Sequence, residues 1–450
     1  MQSTDTIIAL ASGSTPAGVA VVRLSGDQAF AVLQALTGQA LTGQSLPEPR
    51  RMVLRNVQDP RTGEVLDRAL VVRFASPNSF TGEDVVELHL HGGPAIVAGV
   101  IAAILDQPGC RQAVEGEFTR RAFDHGQLDL TAVEGLSDLV RARTAAQRRQ
   151  ALSAAGGAAH RVIETWKDQL LRARALVETM IDFVDEDIPD DLLAGARNQV
   201  QGVRQEMATE LGKAQAGFAV REGLHVAIVG APNVGKSTLL NALAGREAAI
   251  VSSIAGTTRD VVQVTFDLGG HLVVVSDTAG IRETMDEIEA EGVLRARRAM
   301  AEADFCIEVR DLSEPASSSA AIVSPPIVSA EAAGVLFWNK ADQHNGAPPS
   351  DGISGSAKSG VGVDRLRDLI AEQARRLAAD GETAVIQRSR HQTAIAEAAA
   401  ALALWDDPSL SEEILASALE RAIASLGQVV GAVHVEHMLD IIFREFCIGK

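Results

Sequence analysis

Residues 224–245, LHVAIVGAPNVGKSTLLNALAG, constrain the fold more than any other stretch of this chain. A continuous apolar run from Leu224 to Val229 leads into Gly230-Ala-Pro-Asn-Val-Gly235-Lys236-Ser237 and then into a helix-forming run. Uninterrupted apolar residues mark a strand covered on both faces, as in a parallel sheet with helices on each side. A GxxxxGK[ST] pattern between such a strand and a helix is a phosphate-binding loop. Its glycines let backbone N–H groups wrap phosphate oxygens, and the helix N-terminus adds its positive dipole end. On this reading Lys236 reaches the β- and γ-phosphates, the Ser237 hydroxyl ligates Mg2+, and Asn233, Val234, Gly235 and Thr238 complete the cradle.

Downstream motifs fall in the order such a site needs. HLVVVS reads as a strand and ends in Asp277-Thr278-Ala279-Gly280, where the Asp can hold Mg2+ through water and the Gly280 amide can meet the γ-phosphate. GVLFW is a further strand, ending in Asn339-Lys340-Ala341-Asp342. A carboxylate at Asp342 accepts both N–H donors on the edge of guanine, a pair that adenine does not offer. A buried acceptor left unpaired by the wrong base makes such a site selective. Ser356-Ala357-Lys358 closes over the base from the next loop. Each short motif is weak alone, but their order and spacing specify GTP.

The hydrolytic groups depart from those of signalling GTPases, which place a Gln after the DTAG run. Here that position is Ile281, which cannot hydrogen-bond water, and Arg259 and Arg282 are as consistent with solvated or partner-contacting side chains as with catalytic ones. Asn233 and the loop SSIAGTTRD offer amide and carbonyl oxygens of the kind that suit a monovalent cation.

At 450 residues the chain calls for two to four domains at about 100–200 residues each. The first ~120 residues alternate β-like runs (TIIALAS, GVAVVRLSG, RALVVRFAS, DVVELHLHGG) with helical stretches at Asp27–Leu36 and Pro94–Leu105, the pattern of a small α+β domain. From Phe118 to Ala219 Ala, Leu, Arg and Glu dominate at helical spacing, broken by the acidic DEDIPDD of Asp185–Asp191, read as a solvated helix connection. Helical composition returns after Glu382, as expected if the α/β segment is inserted into a helical domain, although two separate helical domains would give the same composition. Residues 312–333 are rich in Ser, Ala and Pro where a crossover helix belongs, so a shortened or irregular helix is expected there.

Net charge −18 argues against nucleic-acid binding through the overall field, although Arg141, Arg143, Arg148 and Arg149 form a local basic cluster, read first as a solvated helix face. The cysteines Cys110, Cys306 and Cys447 are too sparse for a disulfide framework or zinc spacing. With no secretory signal and no run of about 20 apolar residues, the expectation is a cytoplasmic protein without a membrane segment.

GAPNVGKSTLLNAL, IVSSIAGTTRD, DTAGIRET and the terminal FCIGK together resemble the MnmE (TrmE) family of tRNA-modification GTPases, and PNSFTGEDVVELHLHGG and GEFTRRAF extend the resemblance to essentially the whole chain. The resemblance implies a multidomain α/β and all-α fold. Residues 1–122 correspond to an α+β folate-binding and dimerisation domain, 123–222 plus 385–450 to a helical domain, and 223–384 to an inserted Rossmann-like P-loop GTPase domain. It implies a homodimer whose G domains meet when K+ is bound, and a heterotetramer with the flavoprotein MnmG (GidA), through which FAD enters. It also implies addition of a carboxymethylaminomethyl-type group to the wobble uridine C5 of certain tRNAs, with the one-carbon unit from 5-formyl- or methylene-tetrahydrofolate.

Carried over by position, Asn233, Ser252, Ile254 and Thr257 surround K+, Ser237 and Thr258 ligate Mg2+, and Ser253, Ala255 and Gly256 line the nucleotide. Glu289 matches the water-orienting glutamate, although by its neighbours alone it reads as a solvated acid. Arg23, Glu87, Gln127 and Lys450 match folate-site positions, Gln127 standing where better-known members carry Lys. Cys447 is either a participant at the reacting centre or a small buried side chain, and His89 and His91 read as structural. The rival readings are a switch GTPase such as a ribosome-assembly factor and a stand-alone folate-dependent transferase.

Overall fold

A computed structural model describes residues 5–38, 46–182, 191–248, 262–277, 303–313, 334–344, 349–431, 442–444, 446 and 449. The chain divides into two compact units, Met1–Ser137 with Gly427–Lys450, and Asp138–Leu426.

The first unit is built on a six-stranded sheet ordered β3-β4-β5-β2-β1-β6, from β1 (Thr6–Leu10), β2 (Ala17–Ser25), β3 (Val53–Gln58), β4 (Val65–Phe74), β5 (Val85–Gly92) and β6 (Cys110–Gln112). All pairs are antiparallel except β1 with β6. Alternation sorts the two faces. Val22, Leu24, Val86, Leu88 and Leu90 are buried in one core with Val32, Leu33 and Leu36 of α1 (Ala29–Leu36) and Val97, Val100 and Ile104 of α2 (Pro94–Leu105). The register sets Arg23 opposite Glu87, an opposite-charge cross-strand pair. The next helix, α3 (Glu117–Asp124), carries the GEFTRRAF motif. Arg111 and Arg121 both pair with Glu117 and Asp5, and Arg121 also reaches Glu83 at 3.0 Å. The helix α4 (Leu130–Arg141) contributes Leu130 and Val133 to a cluster with Ile442, Phe443 and Phe446.

The expected strands and helices of this unit are present, with helix 27–36 starting at Ala29 because Gln28 is the N-cap. Two strands had no readable signal. VLRNVQ of β3 mixes in Arg and Asn, and the three residues of β6 are held by parallel pairing with distant β1.

In the second unit the helices α5 (Ala145–Ala155), α6 (Ala158–Asp182), α7 (Asp191–Gly212) and α8 (Ala214–Glu222) precede a second sheet, and α11 (Ser389–Leu402) and α12 (Glu412–Val430) follow it. The sheet order is β12-β11-β10-β7-β9-β8, from β7 (Leu224–Val229), β8 (Val262–Leu268), β9 (His271–Asp277), β10 (Phe305–Asp311), β11 (Gly334–Asn339) and β12 (Ile353–Ser354), parallel apart from the β8–β9 hairpin. The helices α9 (Lys236–Ala248, interrupted at Gly245) and α10 (Val363–Leu377) pack Leu239, Leu243, Leu366 and Ile370 against Val226, Ile228, Val273, Ile307 and Phe337. The DEDIPDD connection before Asp191, and the 312–333 crossover beyond Ser313, lie outside the described residues.

Chain entering and leaving this sheet is fastened on α5. Gln150 is buried and its Nε2 donates to Gly217 O and Gly381 O, each at 2.9 Å, while Gln147 Nε2 donates to Arg221 O at 2.8 Å. Two members of the basic cluster are engaged here: Arg149 pairs with Glu382 and Arg143 Nη1 donates to Thr265 Oγ1 at 3.0 Å. All four arginines of the cluster are exposed, so these are contacts made across a solvated face.

Candidate functional site

Parallel strands bring their carboxyl ends to one edge. Ile228 lies opposite Asp277, Asp311 opposite Asn339, and Trp338 opposite Ser354. The chain crosses to β9 on one side of β7 and to β10 on the other, so the crevice at the end of β7 is a topological switch point, where open α/β sheets bind ligands. The loop 230–237 occupies that crevice.

Local backbone geometry explains its residues. Gly230 has φ 149° and a Cβ there would lie 2.3 Å from Val309 O, so no side chain fits between β7 and β10. Gly235 has φ 97°, and a Cβ would lie 2.3 Å from Asn339 Nδ2. Asn233 adopts the left-handed region at φ 63°, which Asn tolerates better than most residues. Lys236 begins α9 and is buried, and its Nζ donates to Gly230 O at 3.0 Å and Ala231 O at 2.8 Å, arching over the loop. Ser237 and Thr238 follow in the first turn of α9, whose positive dipole end faces the crevice.

Asn339 ties this loop to the next two motifs. It is buried, its Nδ2 donates to Val234 O at 2.7 Å, and its Oδ1 accepts from Ala357 N–H at 2.8 Å. One amide side chain thus fixes the phosphate loop relative to the Ser356-Ala357-Lys358 loop. Ala341 N–H donates to Gly355 O at 2.9 Å and Gly355 N–H to Trp338 O at 2.8 Å, which joins the two base-side loops again. Asp342 sits in the short 3-10 turn Ala341–Gln343 with its carboxylate exposed. Ser356 and Ala357 are buried and Lys358 is exposed. Asp277 ends β9 at this edge. Ser252, Ser253, Ile254, Ala255, Gly256, Thr257, Thr258, Thr278, Ala279, Gly280, Ile281 and Glu289 lie outside the described residues, as do Arg259 and Arg282.

In the first unit, Arg23 Nε and Nη2 both lie 2.9 Å from Glu87 Oε1, and its Nη1 donates to Gly449 O at 3.4 Å. The guanidinium also lies 5.7 Å from the Phe80 ring centroid and 5.8 Å from that of Phe118. His89 Nε2 is 3.4 Å from Glu87 Oε2 without forming a hydrogen bond. His91 Nδ1 lies 2.8 Å from Oδ1 of buried Asp67, and the His91 backbone N–H donates to Asp67 Oδ2 at 2.8 Å. Gln127 is exposed, and its amide nitrogen lies beside the Gly82 turn. Cys447 and Lys450 lie outside the described residues. Nothing in the local sequence of Phe80 or Phe118 links either ring to Arg23. Burial raises the thiol pKa of both Cys110 and Cys306, so neither is primed as a thiolate.

A phosphate loop at the switch point, tied by one asparagine to base-side loops on the two strands beyond, defines a P-loop GTPase, a GTP-hydrolysing enzyme. Residues 130–447 match the family profile described as the MnmE helical domain, and residues 6–127 match that of the GTP-binding protein TrmE N-terminus. The chain belongs to the MnmE family. Among curated relatives, the tRNA modification GTPase MnmE of Paramagnetospirillum magneticum is 49% identical over 99% of this chain and 100% of its own length. Those of Azorhizobium caulinodans and Hyphomonas neptunium are 46% and 42% identical, each covering 100% of both chains. Among the described residues no helix is long and apolar enough to cross a membrane.

Proposed function

We propose that this chain is a K+-stimulated GTP hydrolase of tRNA modification. With the flavin-dependent partner MnmG it adds a carboxymethylaminomethyl-type group to the wobble uridine C5 of certain tRNAs, acting as a cytoplasmic homodimer within a heterotetramer. The division into 1–122, 123–222 plus 385–450, and 223–384 belongs to the same proposal.

In this reading Lys236 neutralises the β- and γ-phosphates, Asp342 pairs with the guanine edge, and Glu289 orients the attacking water. The donors fit the ions. The Ser237 hydroxyl, in the first turn of α9, is the hard oxygen that Mg2+ takes, with Thr258 as its second protein ligand. Asn233 is held at φ 63° within the phosphate loop and supplies an amide oxygen for K+, with Ser252, Ile254 and Thr257. The two cations supply positive charge against the phosphates as negative charge builds during hydrolysis.

Arg23, Glu87, Gln127 and Lys450 hold the tetrahydrofolate derivative. Glu87 accepts from pterin N–H groups with Arg23 paired to it, Lys450 serves the folate carboxylates, and Cys447 is the candidate participant in the one-carbon chemistry. The Arg23–Glu87 pair fits this task because the aromatic faces of Phe80 and Phe118 flank the guanidinium.

One observation supports a role for the first unit beyond GTP hydrolysis: Arg23, of the Arg23–Glu87 pair, donates to the carbonyl of Gly449 within FCIGK. A switch GTPase has no use for such a second site. The test is mass spectrometry of tRNA nucleosides from cells lacking this chain. Loss of the carboxymethylaminomethyl-type wobble uridine is expected, and an unchanged profile would return the chain to the switch-GTPase class.

A further inference from the structure

Asp311, the last residue of β10, has none of the roles above, yet its side chain is only 5% exposed. Its Oδ1 accepts from Ser313 N–H at 2.9 Å and from the Ser313 hydroxyl, and its Oδ2 accepts from Lys340 Nζ. The strands lock this pair in place: Asp311 is in register with Asn339, and Leu312 N–H donates to Asn339 O at 2.9 Å. The adjacent Arg310 is turned to Glu308 and the Trp338 ring, so it does not compete for Asp311. Burial raises the pKa of Asp311, but Lys340 and the two Ser313 donors outweigh it, and the carboxyl stays below its ordinary range and ionised.

Lys340 itself is strained. It adopts φ 62°, the left-handed region, between Asn339 and the 3-10 turn that bears Asp342. A residue with a Cβ holds that conformation only where its surroundings impose it. The peptide of Lys340 sets where the chain goes next, so the direction of Asp342 depends on this one turn.

We propose that Asp311 is a positioning residue for guanine recognition: by anchoring the Lys340 ammonium it holds the left-handed turn that presents Asp342 to the base. The inference rests on the reading of residues 339–342 as the base-recognition loop, and it adds a residue outside all the nucleotide motifs.

The test compares GDP and IDP binding by calorimetry in Mg2+ and K+, because IDP lacks the 2-amino group that Asp342 contacts. Asp311→Asn keeps an acceptor for Ser313 but weakens the hold on Lys340; Lys340→Met removes the ammonium and keeps the stem. Each variant should lower the GDP-to-IDP affinity ratio by about five- to thirtyfold, the cost of an unsupported left-handed residue. The double variant should be no worse than either single one, since both break the same link. Thermal melts should show all variants folded. An unchanged ratio in Asp311→Asn, or losses that add in the double variant, would overturn the inference while leaving the base-recognition reading intact. A wild-type chain that does not distinguish GDP from IDP would overturn both.

Discussion

Asn339→Ala is the substitution through which the nucleotide site can be probed most cleanly. The residue is 3% exposed and its side chain makes two hydrogen bonds, to Val234 O at 2.7 Å and from Ala357 N–H at 2.8 Å. Truncation strands one carbonyl and one amide. Each stranded buried group costs about 1–3 kcal/mol, and water entering from the crevice keeps the sum toward the lower half, about 2–4 kcal/mol. Nucleotide binding has to restore the relative placement of the two loops, so that cost is drawn from affinity and corresponds to about 30- to 1000-fold weaker GDP binding. Asn339→Asp is the control. It can still accept from Ala357 N–H but sets a carboxylate oxygen against Val234 O, so it should bind no better than the alanine variant. Calorimetric titration with GDP measures both. Affinity within threefold of wild type for Asn339→Ala, in a folded protein, would refute the idea that one side chain couples the phosphate and base loops.

Asp342→Asn should lose its preference for GTP and accept xanthosine triphosphate; a competition assay in which GTP still wins by a wide margin removes Asp342 as the base reader. Glu289→Ala should bind GTP normally and hydrolyse it at least tenfold more slowly, as expected for loss of a group that positions water, and unchanged turnover in a single-turnover assay would exclude it. Arg111→Gln addresses the first unit. The Arg111 hydrogen bond is the main cause that lowers the Asp5 pKa, and for Glu117 burial raises the pKa but Arg111 and the Val114 amide outweigh it. Carboxyls depressed in the folded state contribute stability above the ordinary carboxylate range and lose it as pH falls through their folded values. The destabilisation by Arg111→Gln should therefore be largest near neutral pH and shrink below about pH 4, read by denaturant unfolding at both ends; a pH-independent difference would contradict it.

The nucleotide loop was legible because its signal is contiguous: an apolar strand, glycines at the positions that need positive φ, and a helix start within one short run. The expected strands and the Pro94–Leu105 helix of the first unit were legible for a similar reason, since period-2 alternation and Pro at the first helical position are local. Contacts between distant residues were not. Asn339 reads in sequence as part of a base-recognition motif, yet its side chain bonds Val234, 105 positions away. Asp311 carries no motif at all. The basic cluster is the solvated surface that its sequence suggests, but nothing near Arg149 announces its partner Glu382, 233 positions on. β6 is visible only through its pairing with β1.

The most direct test of the account is the steady-state rate of GTP hydrolysis by the purified chain with Mg2+, in K+ and in Na+ at equal ionic strength. If Asn233 and the loop after α9 cradle a monovalent cation in place of a catalytic arginine, the rate in K+ should exceed that in Na+ by at least tenfold, about 1.4 kcal/mol of transition-state stabilisation. Equal rates in the two salts would contradict it.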